Sequence, residues 1–403
     1  MNAMTKISSA SADTKATEVR FAKENIIISA TDPRGVIQFA NDTFIEVGGY
    51  SLEELLNAPH KIMRHPEMPK GVFYLMWEHL KAGKPVCAYV KNKTKSGGYY
   101  WVFAVITQTE NGYLSARIRP SSELFEATKE IYATLLEEEK GAGLTPEQSG
   151  ARLLEMLQVA GYSSFEDYGT KALNNEFKSR DIIAPELANS FLLMDELVDI
   201  ISDMQNLVNS IEQGFERVRG EPVNLRILAG RLEGAGAALG TISQNYDAMA
   251  KEMHGLVGRL HDPENGSLVQ MFDAVSQSRW AMQIAQILNE AHAQGGPDAA
   301  EDEGTALLKE HNERLQQSSR SRLIEISSIG KSIPDICRSL RRRINGLDVV
   351  KLLCKVESGR MRDVDSGLDG IIARLENFHD NTDRHLADLS AKASQVTQKG
   401  SSL

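Results

Sequence analysis

FANDTFIEVGGYSLEELLNAPHKIMRHPEMPKGVFYLMWEHLKAGKPVCAYVKNKTKSGGYYWV, residues 39–102, carries the reading of the fold. Its first residues close a strand-like run, VIQFAN (36–41), which the turn DPRG (32–35) joins to the β-branched run NIIISATD (25–32). Two such runs around a Pro-Gly turn signal a hairpin. Asn41 and Asp42 are N-cap types ahead of DTFIEVGGY, and Ser51 with Glu54 makes a capping-box pattern. GVFYLMWEHLKAG (71–83) predicts a helix stopped by Gly83 and Pro85. VCAYVKNKT (86–94), YYWVFAVITQT (99–109) and YLSARIRP (113–120) follow, separated by the hairpin turns KSGG and ENG. The order predicts an α+β domain over residues 20–122, a five-stranded antiparallel sheet with helices on one face.

Composition bounds what surrounds this domain. At roughly 150 residues per domain, a chain of 403 residues holds two or three. Lys+Arg 45 against Asp+Glu 55 gives 45 − 55 = −10, which argues against a general nucleic-acid or anionic-membrane binder. Cys87, Cys337 and Cys354 are too few and too scattered for a disulfide framework or a zinc site, so the chain reads as one from a reducing compartment. The opening MNAMTKISSASADTKATEVR has no apolar core of a signal peptide. No run approaches the roughly 18 apolar residues of a membrane span. These features together predict a cytoplasmic protein without a membrane span.

Beyond residue 121 the strand texture gives way to helix. The expected layout is a disordered tail (1–19), an exit helix and linker (123–183) with a helix at 123–140, a first helical coiled-coil half (184–291), a flexible acidic linker (292–305), a second half (306–395) and a tail (396–403). Met194, Leu197, Ile201, Met204, Val208, Ile211, Phe215 and Val218 alternate spacings of three and four, a coiled-coil or long-bundle stripe. The pattern resumes at Leu225 and runs to Leu260, then returns at Ile326–Leu340 and Met361–Phe378, with Pro334 inside as an expected kink. Residues 224–236 and 348–360 echo each other, Leu228 with Leu352 and Glu233 with Glu357, which is equally the chance agreement of two heptads.

The blocks ANDTF, GGYS with EEL, RHPEMP, MW with LK, and VKN with YWV together resemble a PAS domain, closely that of bacterial aerotaxis receptors. The resemblance covers about a quarter of the chain. It implies non-covalently bound FAD whose redox state is the signal, with Asn41, Arg64, His65, Glu67, Trp77 and Asn92 as the flavin neighbours. Arginine clamps phosphate or ribityl oxygens, tryptophan offers a flat face, and the asparagines pair with polar ring edges. Glu67 stands where the family's block has aspartate. Structural alternatives stand beside these roles: Trp77 and Trp101 as core, His65 as a helix cap, Asn41 as an N-cap. An empty pocket and haem are the competing cofactor readings, with His60, His65 and His79 the histidines at hand. Cys87 lacks the motif of a covalent flavin photosensor.

The helical remainder faintly resembles the signalling region of methyl-accepting chemotaxis receptors, at NLRILAGRLEGAGAALG (224–240) and VESGR (356–360). That implies contact with a chemotaxis-type coupling protein or histidine kinase, and a homodimer. Phosphate loops, kinase phosphoacceptor blocks and a nucleophilic triad order are not found, so catalysis is not expected. His254, His261, His311, His379 and His385 are read as exposed helical residues, and SLRRR (339–343) as a solvated face. The function these readings point to is a cytosolic redox or oxygen sensor with aerotaxis-like output through helical protein contact. Its rivals are a ligand-free PAS scaffold and a haem gas sensor regulating motility or biofilm behaviour.

Overall fold

The structure is a computed structural model and describes residues 17–180, 185–231, 236–294, 303–360 and 368–402. It divides into two compact units, Met1–Ala184 with Met282–Leu315, and Pro185–Ala281 with Gln316–Leu403.

The first unit is built on five strands, β1 (Ile27–Thr31), β2 (Ile37–Ala40), β3 (Val86–Lys93), β4 (Tyr99–Thr109) and β5 (Gly112–Ile118). They form one antiparallel sheet in the order β2-β1-β5-β4-β3. Between β2 and β3 run α1 (Asp42–Gly48), α2 (Leu52–Leu55), a short 3-10 turn (His60–Met63) and α3 (Lys70–Lys81). Ser51 and Glu54 form the capping box the sequence predicts. Pairing sets Tyr89 opposite Phe103, Asn92 opposite Tyr100 and Ser29 opposite Ser115. Residues two apart on a strand share a face, so Val90, Asn92, Ala104 and Ile106 look one way and Tyr89, Lys91, Trp101 and Phe103 the other.

All but the last residue of β3, all of β5 and the middle of β4 (Val102–Val105) are buried, which requires cover on both faces. One face meets α1–α3. The other is covered by helices from beyond the sheet: α4 (Glu123–Ala142) and α6 (Phe165–Arg180), with α5 (Pro146–Val159) between them in sequence. Phe125 of α4 packs on Tyr89 and Trp101 at ring separations of 5.3 Å each, and Tyr132 on Trp101 at 6.5 Å. Gly169 brings α6 against the backbone of Cys87, where a Cβ would meet its carbonyl oxygen at 2.8 Å. The fully buried carboxylate of Glu176 accepts from Tyr89 Oη (2.8 Å), Ser122 Oγ (2.6 Å), Ser121 N (2.7 Å) and Ser122 N (3.2 Å). One side chain of α6 thus ties β3 to the start of α4.

The segment 141–150, expected as linker, is mostly helix. Gly143 ends α4 in the left-handed region at φ 64°, and Thr145 starts α5 with a Thr-Gln capping box and Pro146 in its first turn. Residues 17–19 are paired rather than loose, with Val19 N donating to Tyr99 O at 2.7 Å. Most of the expected N-terminal tail (1–16) and of the acidic linker (295–302) lies outside the described residues. His311, expected to be exposed, is 7% exposed because it shares a face of its helix with the buried Leu308 and Leu315.

The second unit is helical: α7 (Pro185–Val218), α8 (Glu221–Arg231), α9 (Gly236–His261) and parts of α10 (Ser267–Gln294) and α11 (Glu303–Arg360), closed by α12 (Leu368–Gly400). The predicted α7 stripe from Met194 to Val218 is buried throughout. Its partner is α12 of the same chain, antiparallel, with Asp203 bonded to Lys392 at 2.7 Å and Phe215 on Phe378 at 4.9 Å. Pro334 lies inside an uninterrupted α11. The expected tail from 396 is the end of α12, where Val396 and Gly400 continue the buried face of Leu389 and Ala393. Of the two echoing segments, residues 232–235 lie outside the described residues; Leu352 is exposed and Leu228 half-buried.

Glu176→Ala strips acceptors from two buried hydroxyls and two backbone amides. It is expected to lower unfolding stability by about 3 kcal/mol, measured by urea denaturation, while Glu176→Gln, which keeps an acceptor oxygen, costs clearly less.

Candidate functional site

A cavity of about 960 Å³ lies between α3 and the inner face of the sheet. It is within the size range of small-molecule sites, roughly 300–1,000 Å³. Aromatic rings form much of its wall. Trp77 of α3 meets Tyr113 of β5 edge-to-face at 5.6 Å. Its outer ring edge rests where a Cβ on Gly35 would come to 3.2 Å, and Gly35 has φ +78°, so glycine answers both the turn and the contact. The Arg64 guanidinium lies 3.9 Å from the centre of the Phe73 ring.

The sheet wall mixes apolar side chains with polar ones. Asn92, Ser115 and Arg117 line the cavity, and among the described residues Asn92 Nδ2, Ser115 Oγ and Arg117 Nη1 are buried without a hydrogen-bond partner. Arg117 donates through Nη2 to Ser29 Oγ (2.8 Å) and to His60 Nε2 (2.6 Å). A guanidinium only donates, so His60 Nε2 is the acceptor and its proton sits on Nδ1. Burial first, then the Arg117 charge, pushes the His60 pKa down to about 3. Burial also pulls Arg117 down to about 10. Among the described residues no carboxylate pairs with Arg117. The lining as a whole is cationic, with Arg34, Lys61, Arg64, Lys70, Lys81 and Arg117 against Glu78 alone.

Of the six residues expected from the sequence, Arg64, Trp77 and Asn92 line this cavity, and Asn41, His65 and Glu67 do not. Asn41 caps α1: its Oδ1 accepts from Ile28 N (2.9 Å) and Phe44 N (3.2 Å), and its Nδ2 donates to Ile26 O (2.8 Å). His65 Nδ1 accepts from Glu67 N at 3.1 Å, and its ring lies edge-on to Tyr99 at 5.7 Å. Glu67 pairs with Lys91, whose hydrogen bond is the main cause holding its carboxyl below the usual range. Lys91 and Tyr99 belong to the outer sheet face, so this cluster is on the far side of the sheet from the cavity. His60, Ser115 and Arg117 line the cavity and stand outside the six expected residues. The available signal was Ser115 and Arg117 two apart in a strand with no solvent-facing side.

The family profile described as PAS fold matches residues 37–114. The N-terminal domain is a PAS domain. The aerotaxis receptor of Escherichia coli (strain K12) is 42% identical over 119 residues, 28% of this chain and 24% of that protein. The biofilm dispersion protein BdlA of Pseudomonas aeruginosa is 22% identical over 272 residues, 65% of this chain and 61% of that protein. The PAS domain is homologous to both. A solved light-oxygen-voltage domain, described with a flavin analogue, aligns with 26% of this chain and 84% of its own at 23% identity and a TM-score of 0.24. The chain thus spans about a quarter of the aerotaxis receptor and about three fifths of BdlA. Among the described residues no helix is long and apolar enough to cross a membrane, and no cluster of His, Cys, Asp and Glu is arranged to hold a metal.

Two outcomes follow for the PAS domain. His60 is neutral in the folded chain down to about pH 3 and protonates below its ordinary 6.5 once unfolded. The unfolded state therefore binds more protons between those values, and stability is complete above pH 6.5 and falls as pH drops toward 3. His60→Gln is expected to flatten part of that slope, up to about 1.4 kcal/mol per pH unit, in denaturation curves taken at stepped pH. Asn41→Ala is expected to lower stability by about 1–2 kcal/mol without altering the affinity of the folded chain for a cavity ligand, measured by titration.

Proposed function

We propose that the PAS cavity binds a flavin, FAD, and that the chain is a redox or oxygen sensor whose output is protein contact through its helices. The observation that carries this is three partnerless buried groups, Asn92 Nδ2, Ser115 Oγ and Arg117 Nη1, along the sheet wall of a cavity that Phe73, Trp77 and Tyr113 also line. Buried polar groups without partners are costly, and an occupant with a polar edge relieves that cost. A flat ring with carbonyl and ring-nitrogen acceptors along one side would offer partners to donors on that wall. The cationic lining suits the diphosphate of a dinucleotide, which Arg64 and Lys70 would hold.

When bound, the flavin supplies a ring that exchanges electrons and protons and so changes the charge along its polar edge. Arg117 favours negative charge there, because burial leaves its own charge without a carboxylate partner. Asn92 reads the same edge from β3, three residues from Tyr89, whose hydroxyl is bonded to Glu176 and so to the first residues of α4. A shift of Asn92 along β3 therefore reaches the helices behind the sheet through hydrogen bonds. Haem is less well served: His60 is the one histidine lining the cavity among the described residues, and its Nε2 is taken by Arg117. A ligand-free scaffold would leave the three donors unmet.

The resemblance to aerotaxis receptors and the homology to BdlA support a non-enzymatic, cytoplasmic role in chemotaxis-like or biofilm signalling. A homodimer and a chemotaxis-type coupling protein or histidine kinase are the partners proposed.

An absorbance spectrum of the purified full chain tests the reading. Flavin bands, with FAD released on denaturation, are expected, and Asn92→Ala and Arg117→Ala should each weaken FAD binding by about tenfold or more. A folded, colourless chain that takes up no added FAD, or one with a Soret band, overturns it.

A further inference from the structure

The cavity wall is not made by the PAS core alone. Pro146, in the first turn of α5, lines it beside Lys70, Phe73, Tyr74 and Trp77 of α3. How α3 is held therefore decides the shape of the site, and α3 starts without a cap of its own. Its N-cap position is Pro69, which offers no side-chain acceptor to the free amides of the first turn.

Those amides are satisfied from other helices. Glu139 Oε1, near the end of α4, accepts from Lys70 N at 2.6 Å and Gly71 N at 3.4 Å. Ser149 Oγ of α5 accepts from Gly71 N at 3.0 Å and donates to Glu139 Oε1 at 2.5 Å. Glu139 is 4% exposed and Ser149 fully buried. A carboxylate at a helix N-terminus is also favoured by the helix dipole. The fit is close. A Cβ on Gly71 would collide with the Ser149 backbone, and one on Gly150 would meet the Tyr74 ring at 2.7 Å. Arg152 of α5 holds Glu138 of α4 at 2.7 Å, so α4 and α5 act on α3 as a pinned hairpin.

We propose that Glu139 is a positioning residue for the cavity: it fixes the first turn of α3 to α4 and α5, so that filling the cavity and docking the α4–α5 hairpin stabilise each other. The ligand half of this coupling rests on the flavin reading; the helix half does not. Linkage makes the effect reciprocal. Whatever a ligand gains from an ordered α3, the hairpin gains in docking. The device gives the sensor a second exit from the cavity, through the α3 wall, besides the one through β3 and Glu176.

Hydrogen exchange read by mass spectrometry on the full chain tests it, with FAD as the probe. Without flavin, Glu139→Ala is expected to speed exchange of α3 amides 71–77 and α5 amides 149–157 together by about tenfold, with β4 and β5 unchanged. Glu139→Gln, which keeps an acceptor oxygen, should largely restore both. Gly71→Ala, which wedges α3 from α5 and leaves Glu139 in place, should reproduce the paired effect. With flavin, FAD should slow exchange in α5 of the native chain, and Glu139→Ala and Gly71→Ala should each bind FAD about tenfold more weakly. Faster exchange in α5 alone, with α3 at its native rate in both variants, overturns the proposal, as does undiminished FAD affinity in both. If the native chain takes up no FAD, the flavin reading fails by itself and the flavin-free arms still decide the role of Glu139.

Discussion

A sheet with apolar side chains on both faces has to be covered twice, and the first unit follows from that constraint. The inner face of β3, β4 and β5 is met by α3 at a distance that leaves a cavity. The outer face carries Tyr89, Trp101 and Phe103, three large aromatic rings. Left bare, it would be a sticky patch. Here the chain covers it with its own next helices, α4 and α6, whose Phe125, Tyr132 and Gly169 are matched to those rings and to the β3 backbone. Covering the face in this way brings polar groups inside with the rings, and Glu176 resolves them. Its carboxylate collects four donors from Tyr89, Ser121 and Ser122, so no charge or amide at that junction lacks a partner.

The contrast with the inner face is informative. There the same chain, able to satisfy a buried carboxylate four times, leaves Asn92, Ser115 and Arg117 each with an atom unpaired. The His60 ring is spent on holding Arg117 in place, in a neutral state that burial enforces. Three partnerless polar groups along the wall of one cavity suit an occupant that brings polar atoms of its own. The polar trio sits on β3 and β5, which pair with β4 between them, so an occupant bridging Asn92 and Arg117 spans the strand that separates them.

The strands, the helix at α3 and the α7 stripe were legible because each is a local pattern: alternation, a Gly-Pro stop, a repeat of three and four. Three of the six residues expected from the motif resemblance, Arg64, Trp77 and Asn92, line the cavity. Asn41, His65 and Glu67 belong to the same motif blocks and do other work, capping α1 and pinning Lys91 on the outer face, which adjacency in sequence does not separate from lining the cavity. Arg117 was hidden for a different reason. In a strand apolar on both faces, a charged residue has no polar side to mark its direction, and only the register with β1 and β4 reveals where it points. The start of α5 was written plainly, as Thr145-Pro146-Glu147-Gln148, and was hidden by the glycines before it, which suggested a linker.

The second unit shows how a long heptad stripe is used when its partner is in the same chain. Met194 through Val218 of α7 are buried against α12, with Phe215 on Phe378 near one end and Lys399 paired with Glu196 near the other. Exposed pairs of that kind add little stability, but they discriminate between registers, since a slip of one turn puts like charges together. Arg374 does more, because its partner Glu221 has a side chain only 5% exposed, at 2.5 Å. That bond fixes the start of α8 to α12 at the end of the unit where Val349, Leu352, Leu353 and Val356 of α11 stand exposed. The α7 stripe is thus consumed internally, and the apolar surface left at that end of the unit is set by how α8, α11 and α12 are held together.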